Sequence, residues 1–350
     1  MRAERFVVAA SVCAALGLSG ERSASAFCRT STCPLPADFS PSSAGCEPSD
    51  FAQQCAGLTP PIVPHPVWWR NACQSYDIQQ NASKQVPYDT ARNDFATAFS
   101  KWTGATCPGG GHPSIAVMDL GRVECDEVHY NDNTTGMGNQ HAIIFRDAGW
   151  PYPNDLNNTL GLTTITFDPD TGEIYDADME INSSVPLAVS DPVPATGNDF
   201  MSIITHESGH FFGMAHSNDG AATMFAHYTP GSTYMRNLTA DDTAGICAVY
   251  APSGLRAVDS TVASGGTVPQ DSCDPTPRHG FQSACLETGG GSGGGGHGGG
   301  CAVAGAGIAR QPASPGRGSS RVPWTVLVSA AALATGLRAR RRRPPSRAQR

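Results

Sequence analysis

Residues 206–216 read HESGHFFGMAH, and no other stretch limits the fold of this chain as tightly. His206 and His210 are four residues apart, so a helix carries both imidazoles on one face. Glu207 lies between them and can reach a ligand held on that face. Gly213 permits a sharp turn where the helix would otherwise run on, and the turn delivers His216 as a third nitrogen donor. Three neutral imidazoles, one carboxylate outside the ligand set and one open coordination position compose a catalytic zinc site. A structural zinc site would be closed by a fourth protein ligand, usually cysteine, and this stretch holds none. With 10 His in 350 residues, a bare HExxH arises by chance in about one such chain in a hundred. Requiring Gly213 and His216 as well lowers this to roughly a few in a hundred thousand, so a surface helix that merely carries histidines is a poor reading.

The chain is long enough for one sizeable domain or two small ones. Hydrophobic residues make up 39% and charged residues 15%, with 39 Gly and 27 Pro, which suits one packed core with long loops and low-complexity ends. Charge is unevenly spread. Residues 60–252 hold 7 Lys and Arg against 22 Asp and Glu, whereas the last 50 residues hold ten Arg and no acid. So acidic a body argues against nucleic acid as a partner.

Arg2 and Arg5, the apolar run from Phe6 to Leu18 and the sequence Ala24-Ser25-Ala26 have the form of a signal peptide over residues 1–26, cut after Ala26. The run is too short to span a membrane. Export makes the remaining 11 cysteines disulfide candidates, and their odd number leaves one over. Cys301, beyond a glycine tract, is the natural exception. Sequence does not fix connectivity. Local pairings are Cys28 with Cys33, Cys46 with Cys55, Cys107 with Cys125 and Cys273 with Cys285, which leaves Cys73 with Cys247.

Residues 27–62 form a Cys-rich, Pro- and Ser-rich segment, followed by a catalytic domain over 63–252. A first strand region is expected in Val67–Ile78. A helix capped by Asp89 is expected from Thr90 to Trp102, with Phe95, Phe99 and Trp102 on one face. Ile115–Met118 and Ala142–Phe145 suit buried strands. Thr163–Phe167 suits an edge strand, Asp168–Gly172 a turn and Glu173–Asn182 the next strand. Asn198 or Asp199 caps the helix of the histidines, and Thr239 caps a last helix with Asp241 and Asp242 in its first turn. Residues 253–288 form a Cys-bearing extension and 289–300 a Gly-rich linker.

These residues resemble the matrixin branch of the metzincin zinc endopeptidases over about residues 66–252. Ser217 follows the third histidine, and Met224 comes eight residues after His216, the matrixin distance for the Met-turn that floors the zinc. Met224–Tyr228 is similar to the family's Met-Tyr-Pro-x-Tyr stretch, and LTADDTAGICAVY to its closing helix. The resemblance implies an α+β zincin fold. Its features would be a twisted mixed five-stranded sheet with an antiparallel edge strand, and long helices that include the zinc-binding one. It implies one catalytic Zn²⁺ on His206, His210 and His216, Glu207 as general base, and peptide-bond hydrolysis. Tyr228 would wall the pocket for the side chain after the scissile bond, too far from Met224 in sequence to be a fifth ligand. Thr164, Ile165 and Thr166 would pair with an extended protein or peptide substrate through their backbone. Phe225 and Ala226 depart from the family's usual Tyr and Pro, so the pocket wall is expected to differ. No histidine for a second, structural zinc is present in residues 174–182, and the cysteine-switch prosegment of the animal enzymes is absent. A Ca²⁺ ion on Asp168, Asp170 and Asp176 competes with the plainer reading of a solvated acidic turn.

Residues 301–350 hold Cys301, an apolar stretch from about Val322 to Leu337, and an arginine cluster, Arg338 with Arg340–Arg343. The order resembles the Myxo-CTERM class of bacterial surface-sorting tails, which implies Cys301 as a processing or anchoring point. The alternatives are a plain C-terminal transmembrane helix, short for a span, and a disordered basic tail. Together these features predict an exported, monomeric endopeptidase at or outside the bacterial cell surface. Two other readings are a catalytically weak binding or adhesion module on the same scaffold, and a zinc hydrolase of non-peptide substrates. Glu207 and all three histidines are intact, which argues against the first. The Met-turn and the edge strand argue against the second.

Overall fold

The computed structural model describes residues 27–32, 65–131, 138–152, 159–252, 255–258, 261–264, 273–284 and 324–332. The signal-like residues 1–26, the linker 289–300, Cys33, Cys46, Cys55, Cys285 and Cys301 lie outside them.

In chain order the strands and helices begin with β1 (Cys28–Arg29), β2 (Cys73–Gln79), α1 (Tyr88–Thr103), β3 (Ala116–Val123) and β4 (Ala142–Phe145). They continue with β5 (Thr159–Phe167), β6 (Ile174–Ile181), β7 (Leu187–Ala188), β8 (Asn198–Asp199), α2 (Phe200–Phe211) and β9 (Met214–Ala215). The last are β10 (His227–Tyr228), α3 (Ala240–Val249), β11 (Leu255–Val258), β12 (Thr261–Ser264) and β13 (Trp324–Ala332). The architecture is α+β.

Its centre is a mixed sheet in the order β5-β6-β4-β2-β3, extended beyond β5 by β13 and then β10. β3, β2, β4 and β6 run parallel, and β5 is antiparallel to β6. The parallel strands draw on apolar runs such as AIIF of β4, whose four residues are all buried, as a strand covered on both faces requires. The main core lies where α1 and α2 pack on the sheet. The i, i+4, i+7 face of α1 meets α2 and the turn after it. Phe95 contacts Phe200 edge-on at 5.8 Å, and Phe99 contacts Phe211 at 5.1 Å. Trp102 lies against Phe212. Each of these buried rings contributes about 2–3 kcal/mol of apolar burial. Helix α1 starts two residues earlier than expected: Pro87 is its N-cap and Asp89 sits inside the first turn. There Asp89 complements the helix dipole without capping it.

Two disulfides differ from the local pairing rule. Cys73 bonds Cys273 and Cys107 bonds Cys247, with Cα–Cα distances of 5.5 and 5.6 Å. The pairs Cys73–Cys247, Cys107–Cys125 and Cys273–Cys285 are thereby excluded. Tertiary packing decides the outcome, because α3 lies beside the turn that leaves α1, and residues 273–284 run along the sheet by β2 and β3. Cys28 and Cys125 are also disulfide-bonded.

The C-terminal apolar stretch departs furthest from expectation. Its described part, residues 324–332, is a strand paired with β5, and among the described residues no helix is long and apolar enough to cross a membrane. The stretch is short for a helical span, and its first half, WTVLV, is rich in β-branched and aromatic residues that favour a strand. Thr163–Phe167 is therefore an interior strand in this structure and not a free edge.

Candidate active site

Helix α2 is buried almost all round; only Met201 is partly exposed. Asp199 caps it, its carboxylate accepting from the Ser202 amide at 3.0 Å, and Arg236 clamps the same carboxylate with two bonds of 2.8 Å. At the other end, two carbonyls that a helix leaves orphaned find distant donors. The Trp69 indole donates to Phe211 O at 2.7 Å, and the Tyr250 hydroxyl donates to Phe212 O at 2.9 Å. Gly213 then adopts φ 85°. A Cβ there would sit 2.6 Å from Val67 O, so only glycine fits the turn. The outgoing strand β9 pairs with β1, which fixes the path of the chain to His216.

The turn brings the three imidazoles together. Their ligand atoms lie within 4.8 Å of one another, close to the span that one zinc ion at about 2.0–2.1 Å from each nitrogen bridges. Nδ1 of His206 lies 2.7 Å from Thr223 O, and Nδ1 of His210 lies 2.8 Å from Met214 O. Carbonyls only accept, so each Nδ1 carries the proton and each Nε2 presents a lone pair. The two Nε2 atoms are 3.0 Å apart, an arrangement that needs a cation to reconcile it. Burial pushes the His206 pKa down to about 4 and that of His210 well below its usual value, so a proton does not readily serve. The donor set therefore fits a zinc ion, with the outer partners of His206 and His210 already in place. Among the described residues this is the one cluster of three or more metal-ligating side chains with such spacing.

Glu207 is fully buried beside the cluster. Thr163 Oγ1 donates to its Oε2 at 2.7 Å, and its Oε1 has no hydrogen-bond partner. Burial pushes the carboxyl up to about 8, and the Thr163 hydroxyl opposes that rise. Gly161 faces the same carboxylate: a Cβ there would lie 2.6 Å from Oε1. The sequence named Thr164, Ile165 and Thr166 on this strand. The side chain that reaches Glu207 belongs to Thr163, and period-two alternation sends Thr164 and Thr166 to the opposite face. Strand alternation, counted from Gly161, was the available signal.

Met224 is buried under the site, against Gly209 and Trp102. Its turn is held by a residue that sequence reading placed only in a helix's first turn. The buried Asp242 carboxylate accepts from the Thr223 amide at 2.8 Å and the Met224 amide at 3.0 Å. The same group forms the capping box of α3 with Thr239. Ser217 closes the intervening loop, its amide donating to Met224 O at 2.7 Å and its hydroxyl to Asp241 at 2.6 Å. Tyr228 is buried, and its hydroxyl accepts from the Asp199 amide and donates to Ser232 O. That hydroxyl is committed away from the histidines.

The matrixin family profile matches residues 67–251. The chain belongs to the matrixin family. This matrixin is 28% identical over 202 residues to metalloendoproteinase 1-MMP of Arabidopsis thaliana, covering 57% of the chain and 48% of the relative. It is 31% identical over 165 residues to metalloendoproteinase 1 of Glycine max, 46% of each protein. It is 25% identical over 185 residues to human matrix metalloproteinase-16, covering 53% of the chain and 27% of the relative. The chain thus spans about half or less of the length of these relatives.

Among the described residues, Asp168, Asp170 and Asp176 do not form a group whose ligand atoms lie within 4.8 Å of one another. The Asp168 carboxylate accepts from the amides of Asp170 and Thr171 and from the Tyr175 hydroxyl at 2.7 Å. Asp176 lies in β6, buried beside His141. Within the turn, the Asp168 carboxylate is occupied by protein donors.

Proposed function

We propose that this matrixin is an exported zinc endopeptidase that hydrolyses peptide bonds in extended protein segments. The observation that carries the reading is the pairing of three convergent imidazoles with one buried carboxylate oxygen that has no hydrogen-bond partner. His206, His210 and His216 would hold the ion and Glu207 would remain outside the ligand set. A zinc ion bound there would lower the pKa of a water toward about 7 and polarise a carbonyl.

The rest of the chemistry falls to the chain. Glu207 Oε1 takes a proton from the attacking water and passes it to the nitrogen of the leaving amine as the C–N bond breaks. Thr163, bonded to Oε2, keeps the carboxylate aimed. The backbone of β5 supplies ladder groups for an extended substrate, and His227–Tyr228 forms the opposite wall. The fixed Tyr228 ring bounds the pocket after the scissile bond, and Met224 floors the histidines. The signal-like N-terminus supports export. Cys301, the apolar stretch and the arginine cluster support retention at a bacterial surface.

The test is a digest of proteome-derived peptides with wild type and Glu207→Ala, with and without a zinc chelator. Wild type cleaves; Glu207→Ala keeps about one zinc per chain and does not; chelation abolishes cleavage. Equal cleavage by Glu207→Ala would overturn the assignment.

A further inference from the structure

The groove between β5 and β10 is filled by a segment of the same chain. Residues 324–332 run antiparallel to β5, with Trp324 opposite Phe167, Val326 opposite Ile165 and Ala330 opposite Gly161. They run parallel to β10, with Ala331 beside His227 and Ala332 beside Tyr228. Cα atoms of this strand come within 8 Å of Cα atoms of the zinc-site helix α2. At Gly161 the neighbouring space belongs to the Glu207 carboxylate. The ladder groups of β5 assigned above to substrate are thus already engaged, directly beside Glu207.

On the reading of the site as a peptidase cleft, we propose that residues 324–332 are its built-in occupant, a substrate-like strand that competes with substrate and keeps the enzyme latent until the tail is withdrawn. Two independent features support residence in cis. Thirty-nine residues separate Ala284 from Trp324, a tether that reaches up to roughly 130 Å when extended. The ten arginines of the last 50 residues also carry charge opposite to that of the acidic residues 60–252, which favours return of the tail. A tethered segment acts at up to about 1 mM, and peptide clefts bind in the range of about 1 μM to 1 mM. With a Kd near 0.1 mM, roughly ten of every eleven molecules are blocked, so release raises kcat/KM about tenfold.

The experiment compares the full chain with Val326→Pro and Leu327→Pro. Successive strand amides point to opposite sides, so one of the two prolines removes an amide directed at β5. Hydrogen exchange of the β5 amides reports occupancy without any need for activity, and kcat/KM on a short peptide reports latency. A synthetic peptide of residues 322–333, added to the released variant, serves as competitor. The expected result is lost β5 protection and about a tenfold rise in kcat/KM in at least one variant. The peptide then raises KM at constant kcat. Unchanged β5 protection in both variants overturns the occupancy. Lost protection with unchanged kcat/KM overturns the latency. If no species cleaves any peptide while binding zinc, the peptidase reading fails, and β5 protection still decides whether the tail fills the groove.

Discussion

Asp242→Asn tests how the closing helix governs the zinc site. Asp242 is fully buried, and its Oδ2 accepts three bonds of 2.8 Å, from the Thr223 amide and from the amide and hydroxyl of Thr239. Oδ1 accepts the Met224 amide at 3.0 Å. Asparagine keeps one carbonyl oxygen, which stays with the three donors, and turns its NH₂ toward the Met224 N–H. Donor then faces donor, and a buried unsatisfied amide costs about 1–3 kcal/mol. The three retained bonds lose their charge assistance, about 1 kcal/mol each, partly offset because a neutral amide is cheaper to bury than a carboxylate. The net loss is about 2–4 kcal/mol, or about 5–15 °C in Tm for a domain of this size. Thr223 also supplies the carbonyl that orients His206, so zinc affinity falls about 10- to 100-fold. Thermal unfolding at saturating zinc and titration against a chelating dye measure the two effects. Asp89→Asn, at an exposed side chain in α1, controls for the charge change. A Tm within 2 °C of wild type, or an unchanged zinc affinity, would refute the coupling.

Gly161→Ala places a methyl against Glu207 Oε1 and should cut kcat about 100-fold or more while zinc content, read by mass spectrometry, stays at wild-type level. Gly209→Ala drives a Cβ into Met224 and the Trp102 ring, and denaturant titration should show a loss of about 1–3 kcal/mol. Thr163→Val removes the bond to Glu207 Oε2, so the acidic limb of the kcat/KM profile should move to higher pH, because that bond favours the ionised carboxylate. Burial pushes Asp77 up to about 8, only partly opposed by the His141 amide. Its folded-state value lies above the ordinary one, so the stability it lends is complete below about pH 4 and is lost as pH rises toward 8. Asp77→Asn should therefore gain stability over wild type on going from pH 4 to pH 8; a parallel pair of Tm–pH curves would contradict this.

What could be read from the sequence was what is encoded locally. The histidine spacing, the Gly213 turn, the Thr239 cap and the AIIF strand each depend on residues within one or two turns, and all four appear where expected. The side-chain role of Thr163 is not legible in the sequence, because the strand begins at Thr159 and not at Thr163, and the pattern of the TTITF run alone does not say which face of the strand meets Glu207. The disulfides could not be read because Cys107 and Cys247 meet only after α1 and α3 pack, 140 residues apart in sequence. The tail was ambiguous for a different reason. Sixteen apolar residues satisfy a short membrane helix and a buried strand about equally, and the choice depends on whether an unpaired β5 is within reach.

The same long-range dependence explains how the histidine positions are held. His206 and His210 are each oriented by a carbonyl, and those carbonyls belong to turns that the motif does not itself stabilise. Met214 O is set by β9 pairing with β1, near the start of the described chain. Thr223 O is set by Asp242, on the last helix of the domain. The end of α2 hangs on Trp69 and Tyr250, which bracket the family match almost from end to end. The hydroxyl of Tyr250 also accepts from the Trp69 amide at 3.1 Å, so the two pins are joined to each other. An eleven-residue motif can supply three ligands, but it cannot fix their separation. That requires the two ends of the domain to be brought together, and the Cys107–Cys247 bridge, which ties α3 to the exit of α1, reinforces that closure.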